Sequence, residues 1–123
     1  MRLLLIPAIL LLAAPGLAGQ RHVPEAVPAG KPVSCLSLTQ IRNTEVRSDD
    51  VIDFFTSGGK VYRNTLPNKC PGLGFERRYA HKTSLSQICS VDTITVLEEP
   101  GLSHGATCGL GEFQPVTLAK GAH

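Results

Sequence analysis

Val51-Ile52-Asp53-Phe54-Phe55-Thr56, then Ser57-Gly58-Gly59-Lys60, then Val61-Tyr62-Arg63-Asn64-Thr65-Leu66 is the stretch that decides the fold class. Both flanks are rich in β-branched and aromatic residues, and a Gly-Gly pair supplies the positive φ angles that a tight hairpin turn demands. With Gly58 and Gly59 as the central pair, Phe55 is expected to face Tyr62, Asp53 to face Asn64 and Val51 to face Leu66. Such a register puts Phe55, Tyr62, Val51 and Leu66 on one face and Ile52, Thr65, Thr56 and Val61 on the other. Neither face is cleanly polar, as expected for strands covered on both sides in a small closed barrel.

Outward from this hairpin the punctuation remains that of strands. Residues 92–97 alternate, with Ile94 and Val96 on one side and Thr93 and Thr95 on the other, and Pro100-Gly101 ends the run. Residues 75–81 also alternate, Phe75, Arg77, Tyr79 and His81 opposing Glu76, Arg78 and Ala80. Leu36 and Leu38, and residues 113–116, complete an expected six to eight short antiparallel strands. One helical turn is expected at 84–89, with Ser84 as cap and Gln87 three positions on. The fold class is therefore all-β, a small antiparallel barrel or sandwich-like sheet.

The ends of the chain read differently. Residues 1–18 have the form of a secretory signal: Arg2, an apolar run from Leu3 to Ala14, and a small-x-small site at Gly16-Leu17-Ala18. That run is too short for a spanning helix, which needs about 20 apolar residues, so no membrane span is expected once the signal is removed. Residues 19–34 carry Pro24, Pro28 and Pro32 at every fourth position and predict an extended spacer outside any sheet ladder. Residues 35–117 are the expected domain, and 118–123 a fraying tail.

Export accounts for the four cysteines, Cys35, Cys70, Cys89 and Cys108, an even number in a small domain with few aromatics. Three pairings are possible, and spacing alone does not choose among them. Closing one local loop and tying the two ends together favours Cys70 with Cys89 and Cys35 with Cys108. Without a Cys-x-x-Cys spacing, structural zinc is not indicated.

Charge excludes a general polyanion binder: the net of +2 falls to +1 when Arg2 leaves with the signal. The local balance is different. Between residues 60 and 82, Lys60, Arg63, Lys69, Arg77, Arg78 and Lys82 face the single acid Glu76, interleaved with Tyr62, Phe75 and Tyr79. Cations with aromatic rings form a candidate face for an anionic polymer. An exported protein would meet an anionic envelope polymer or an envelope protein there, not nucleic acid.

Catalytic signatures are sparse. Gly72-Leu73-Gly74 and Gly109-Leu110-Gly111 lack the following helix that a phosphate-binding loop requires and predict turns after a cysteine. His22 and His123 lie outside the expected domain, leaving His81 and His104, which could converge with Asp92 but have no metal-ligand spacing. Asp49-Asp50 and Glu98-Glu99 read as turn charges, and Asp92 as an acceptor of turn amides. No cofactor is indicated.

The order of Cys35, the Phe54-Phe55 to Tyr62 hairpin ending Asn64-Thr65-Leu66, Cys70-Pro71-Gly72-Leu73, Ile88-Cys89-Ser90-Val91-Asp92-Thr93-Ile94 and Cys108-Gly109-Leu110-Gly111-Glu112-Phe113 resembles a family of small exported four-cysteine bacterial proteins, a domain of unknown function. The resemblance covers residues 33–117 and implies export, a periplasmic or secreted location and the four-cysteine frame. It transfers no catalytic residue. The expected function is a non-catalytic binding or structural module of the cell envelope, with inhibition of a hydrolase as a more specific form. The competing class is a small hydrolytic or metal-dependent enzyme using His81 or His104 with a carboxylate in a cleft.

Overall fold

The computed structural model describes residues 23–83 and 85–120, so the signal segment, His22, Ser84 and His123 lie outside the described residues. Among the described residues, ten strands, one short helix and two 3-10 turns follow in chain order. They are β1 (Ala26–Pro28), β2 (Cys35–Ser37), a 3-10 turn (Leu38–Gln40), β3 (Ile41–Ser48), β4 (Val51–Thr56), a second 3-10 turn (Ser57–Gly59), β5 (Val61–Thr65), α1 (Leu73–Glu76), β6 (Tyr79–Ala80), β7 (Gln87–Cys89), β8 (Thr93–Glu98), β9 (Ser103–Gly109) and β10 (Phe113–Leu118). They form three antiparallel sheets in the orders β1-β10-β5-β4-β3, β6-β8-β9 and β2-β7. The all-β, sandwich-like form is thus realised, with more strands than the six to eight expected. Among the described residues no sheet closes into a barrel, because β1 and β3 end the large sheet without pairing to each other.

The central hairpin forms, but one residue out of the expected register. Thr56 N–H donates to the Lys60 carbonyl at 2.9 Å, enclosing three residues rather than two, with Gly58 and Gly59 at φ 87° and 82°. The extra turn residue slides the pairing, so Phe54 faces Tyr62, Asp53 faces Arg63 and Ile52 faces Asn64. A one-residue slip exchanges the two faces of a strand. Ile52 and Phe54 therefore point into the core, where Phe54 meets Phe113 edge-to-face at 5.2 Å, and Asp53 points out of it. Phe54, Ile52, Ile94, Val96, Leu73, Ile88 and Phe113 are fully buried, each side chain contributing about 2 kcal/mol.

The described part of the proline-rich segment, residues 23–34, joins the large sheet instead of standing off as a spacer. Ala26, Val27 and Pro28 pair with Leu118, Thr117 and Val116, and Val33 exchanges both backbone hydrogen bonds with Phe113. An edge strand tolerates proline because its missing N–H can face outward. The expected fraying tail is likewise anchored as far as Ala119, whose N–H donates to the Glu25 carbonyl at 2.9 Å. The folded unit therefore extends beyond residues 35–117 at both ends.

Two local expectations are also corrected. Within 75–81 only Tyr79 and Ala80 are in a strand. The segment before them turns once as α1, ended by Arg77 at φ 60°, and this seats Leu73 in the core. At 84–89 the expected helical turn is replaced by β7, whose Ile88 lies opposite Leu36 of β2, both buried.

That β2–β7 register also decides the disulfides, which are Cys35–Cys89 and Cys70–Cys108, not the expected Cys70–Cys89 and Cys35–Cys108. Cys35 stands directly opposite Cys89 on adjacent strands. Cys70, held by its N–H to the Asp49 carbonyl at 2.8 Å, is buried beside Cys108, which faces Ile94 across β8 and β9. The Asp49-Asp50 turn is a fastening point rather than a solvated tip. Asp49 Oδ1 accepts the Gly74 N–H at 2.7 Å, and the Asp50 carbonyl accepts the Leu66 N–H at 2.8 Å. Buried Asn64 clamps the last loop, donating to the Gly111 carbonyl at 2.7 Å and accepting the Gly111 N–H at 2.8 Å. Gly111 is obligatory there because a Cβ would lie 2.3 Å from the Thr65 carbonyl oxygen.

Candidate functional site

The three-stranded sheet separates its side chains by period two. Ile94 and Val96 of β8 are buried in the core, which leaves Thr93 and Thr95 on the outer face. Register brings Ala80 of β6 and Thr107 of β9 to either side of Thr95, Gly109 opposite Thr93, and His104 opposite Leu97. The Thr95 and Thr107 hydroxyls are hydrogen-bonded at 2.8 Å. A groove of about 170 Å³ results, lined by Ala80, Lys82, Thr93, Thr95 and His104. Its floor is low because Ala80 is small and Gly109 leaves open space. No carboxylate lines it. Drug-sized ligands occupy sites of roughly 300 Å³ or more, so this one suits a single small polar unit.

His81 lies on the other side of the sheet. It follows Ala80 and so shares the side of Tyr79, whose hydroxyl donates to Thr44 Oγ1 at 3.2 Å across the core. Its Nε2 bonds Asp92 Oδ2 at 3.1 Å, with 10% of the His81 side chain and 26% of the Asp92 side chain exposed. The same carboxylate oxygen accepts the Cys89 N–H at 2.8 Å, Asp92 N–H returns to the Cys89 carbonyl at 2.9 Å, and the Asp92 carbonyl accepts the Leu110 N–H at 3.1 Å. Asp92 thus fastens the turn behind one disulfide to the loop after the other, as an Asp before a strand is placed to do. The convergence of both histidines on Asp92 does not occur, since His104 faces the groove.

The Cys89 amide, and secondarily His81, hold the Asp92 carboxyl below its ordinary pKa. A carboxylate favoured in the native state adds stability above the unfolded-chain value of about 3.9, and that stability is lost as pH falls through the lowered native value. Asp92→Asn is therefore expected to flatten the acid limb of the melting temperature against pH, measured by thermal unfolding between about pH 2 and 6. An unchanged acid limb would assign that loss of stability to other carboxylates.

The expected basic face is dispersed by the fold. Arg63 is turned onto Asp53, Nε to Oδ1 at 2.8 Å, on the outer side of the large sheet. Arg77 lies 3.7 Å from Glu45, Arg78 pairs with Glu99, and Lys60 sits 6.0 Å from the Tyr62 ring centre. Lys69 is exposed in the segment before Cys70. Tyr79 is half-buried against the core, its hydroxyl on Thr44, and desolvation raises its pKa. Only Lys82 of the six cations reaches the groove.

Among the described residues no three His, Cys, Asp or Glu side chains converge to hold a metal ion, and no cysteine is free. No helix among them is long and apolar enough to cross a membrane. Comparison with protein-family models, with curated proteins and with solved structures finds no match. The hydroxyl row was half legible: Thr93-x-Thr95 is visible in the alternation of 92–97, whereas Thr107 lies in a strand without large apolar residues that no pattern marked.

Proposed function

We propose that this chain is a non-catalytic binding module of the bacterial cell envelope, exported and oxidised there, and that the groove on the outer face of β6, β8 and β9 is where it meets its ligand. One observation carries the reading: the histidine with a carboxylate partner, His81, faces inward, and the histidine in the groove, His104, has no carboxylate beside it. Acid–base hydrolysis needs both groups converging on one substrate-accessible point. Two disulfides, which persist in oxidising compartments, and the resemblance to exported four-cysteine proteins support the location. The disulfide-bonded protein, immobilised and exposed to fractionated envelope extract, is expected to retain a glycan or protein component. It is also expected to show no turnover of ester, glycoside or peptide substrates. Turnover that disappears in His104→Asn would overturn the reading in favour of the enzyme class.

Phe75 favours inhibition of a hydrolase as a second reading. Its side chain is 83% exposed on α1. That turn is held by Glu76 N–H to the Gly72 carbonyl at 2.8 Å, Arg77 N–H to the Leu73 carbonyl at 2.8 Å, and Gly74 N–H to Asp49. A rigidly presented aromatic is the usual anchor of a protein interface. Inhibition of an envelope glycosidase or peptidase by the native protein and not by Phe75→Asp would support this form; equal inhibition by both would remove it.

A further inference from the structure

The groove has a chemistry that narrows its ligand, and this step rests on reading the chain as a binding module. Thr93 and Thr95 are two residues apart on one strand, so their hydroxyls are spaced by roughly 7 Å along it, and Thr107 lies roughly 5 Å across from Thr95. The Thr95–Thr107 hydrogen bond, at 2.8 Å, uses one of the pair's two hydroxyl hydrogens and leaves the other to donate outward. Each threonine oxygen keeps acceptor capacity as well. Around this row stand one full cation, Lys82, and one imidazole, His104, with neither engaged in an ion pair among the described residues. Glu98, the nearest acid on β8, has its carboxylate directed to the opposite side of the sheet, beside Gly105 and Gly72.

We propose that this groove binds a uronic acid unit of an acidic polysaccharide, its carboxylate against Lys82 and His104 and its ring hydroxyls against Thr93, Thr95 and Thr107. One fixed positive charge matches a monoanion better than a phosphate dianion. Hydroxyls that both donate and accept match vicinal sugar hydroxyls, which do the same. The volume of about 170 Å³ accommodates one such ring and not an extended segment, so binding to a polymer gains from repetition of a weak contact rather than from one deep site. Ala80 and the threonine methyls add an apolar component to the groove, which suits the faint hydrophobic face of a sugar.

The test is a ¹H–¹⁵N NMR titration of the disulfide-bonded protein, produced by an exporting host, with three probes: oligogalacturonate, inorganic phosphate and a neutral maltooligosaccharide. Oligogalacturonate is expected to shift the amides of Thr93, Thr95, His104 and Thr107. Lys82→Gln is expected to weaken it about tenfold, the loss of roughly one charge-assisted contact, with an unchanged melting temperature. Equal binding of phosphate or of the neutral glycan, undiminished binding by Lys82→Gln, or no shifts with oligogalacturonate would each overturn the uronate assignment. None of these outcomes touches the broader reading, which fails separately on His104-dependent turnover.

Discussion

Asp53→Ala is expected to destabilise the protein by about 3–5 kcal/mol, the usual result of removing one partner from a buried charge cluster. Asp53 is fully buried in the middle of β4, and its carboxylate is shared by two arginines. Oδ2 accepts Arg47 Nε at 2.9 Å and Arg63 Nη2 at 2.9 Å, and Oδ1 accepts Arg63 Nε at 2.8 Å. The arginines are themselves only 10% and 14% exposed, so alanine leaves two poorly hydrated guanidinium groups on the outer face of the large sheet. Arg47 is the extra residue of a bulge between Val46 and Ser48, and its side chain shares the Asp53 carboxylate with Arg63. Asp53→Asn keeps the shape and removes the charge, and an intermediate loss is expected. Urea unfolding measures this as a lower midpoint at unchanged slope. A loss below about 1 kcal/mol for Asp53→Ala would show that the arginines regain water as easily as surface ions do.

Removing the Cys70–Cys108 bridge by paired alanine substitution is expected to cost about 4 kcal/mol from the closure of a loop of roughly 39 residues alone. A further loss comes from the space left at Cys70, which is fully buried in the core. For a domain of this size the sum corresponds to a fall in melting temperature of roughly 20 °C or more. The Cys35–Cys89 bridge closes a longer loop, sequence separation 54, but its half-buried cysteines add less packing, so the alanine pair at 35 and 89 is expected to be the milder of the two. Non-reducing peptide mapping checks the connectivity first, and recovery of a peptide joining Cys70 to Cys89 would undo the comparison. Melting of each double variant then gives the ranking.

How much of this was legible depends on how far apart the deciding residues lie. The hairpin of β4 and β5 and strand β8 were readable because alternation and turn glycines act over a few residues. Strands β3 and β9 were not, for a reason visible in their residues. β3 carries only Ile41 and Val46 among polar side chains, and β9 has no large apolar residue, so neither shows an apolar period. Each is defined by its neighbour's hydrogen bonds, β4 and β8 respectively. The candidate site was legible only in part for the same reason: Lys82 and His104 were named singly, but their meeting around Thr93 and Thr95 depends on the pairing of β9 with β8.

Composition and local pattern alone determined that the protein is all-β, that it turns at Gly58-Gly59, and that its four cysteines are bridged. These follow from backbone sterics, side-chain alternation and the even count of cysteines in a small domain with few aromatics. Register, disulfide partners, the recruitment of the proline-rich segment as an edge strand and the choice of which charges are buried were decided only by tertiary structure. Each of them depends on which distant apolar residues share the core. Leu36 meeting Ile88 places Cys35 on Cys89, and one additional residue in a turn sends Asp53 to the arginines instead of to Asn64.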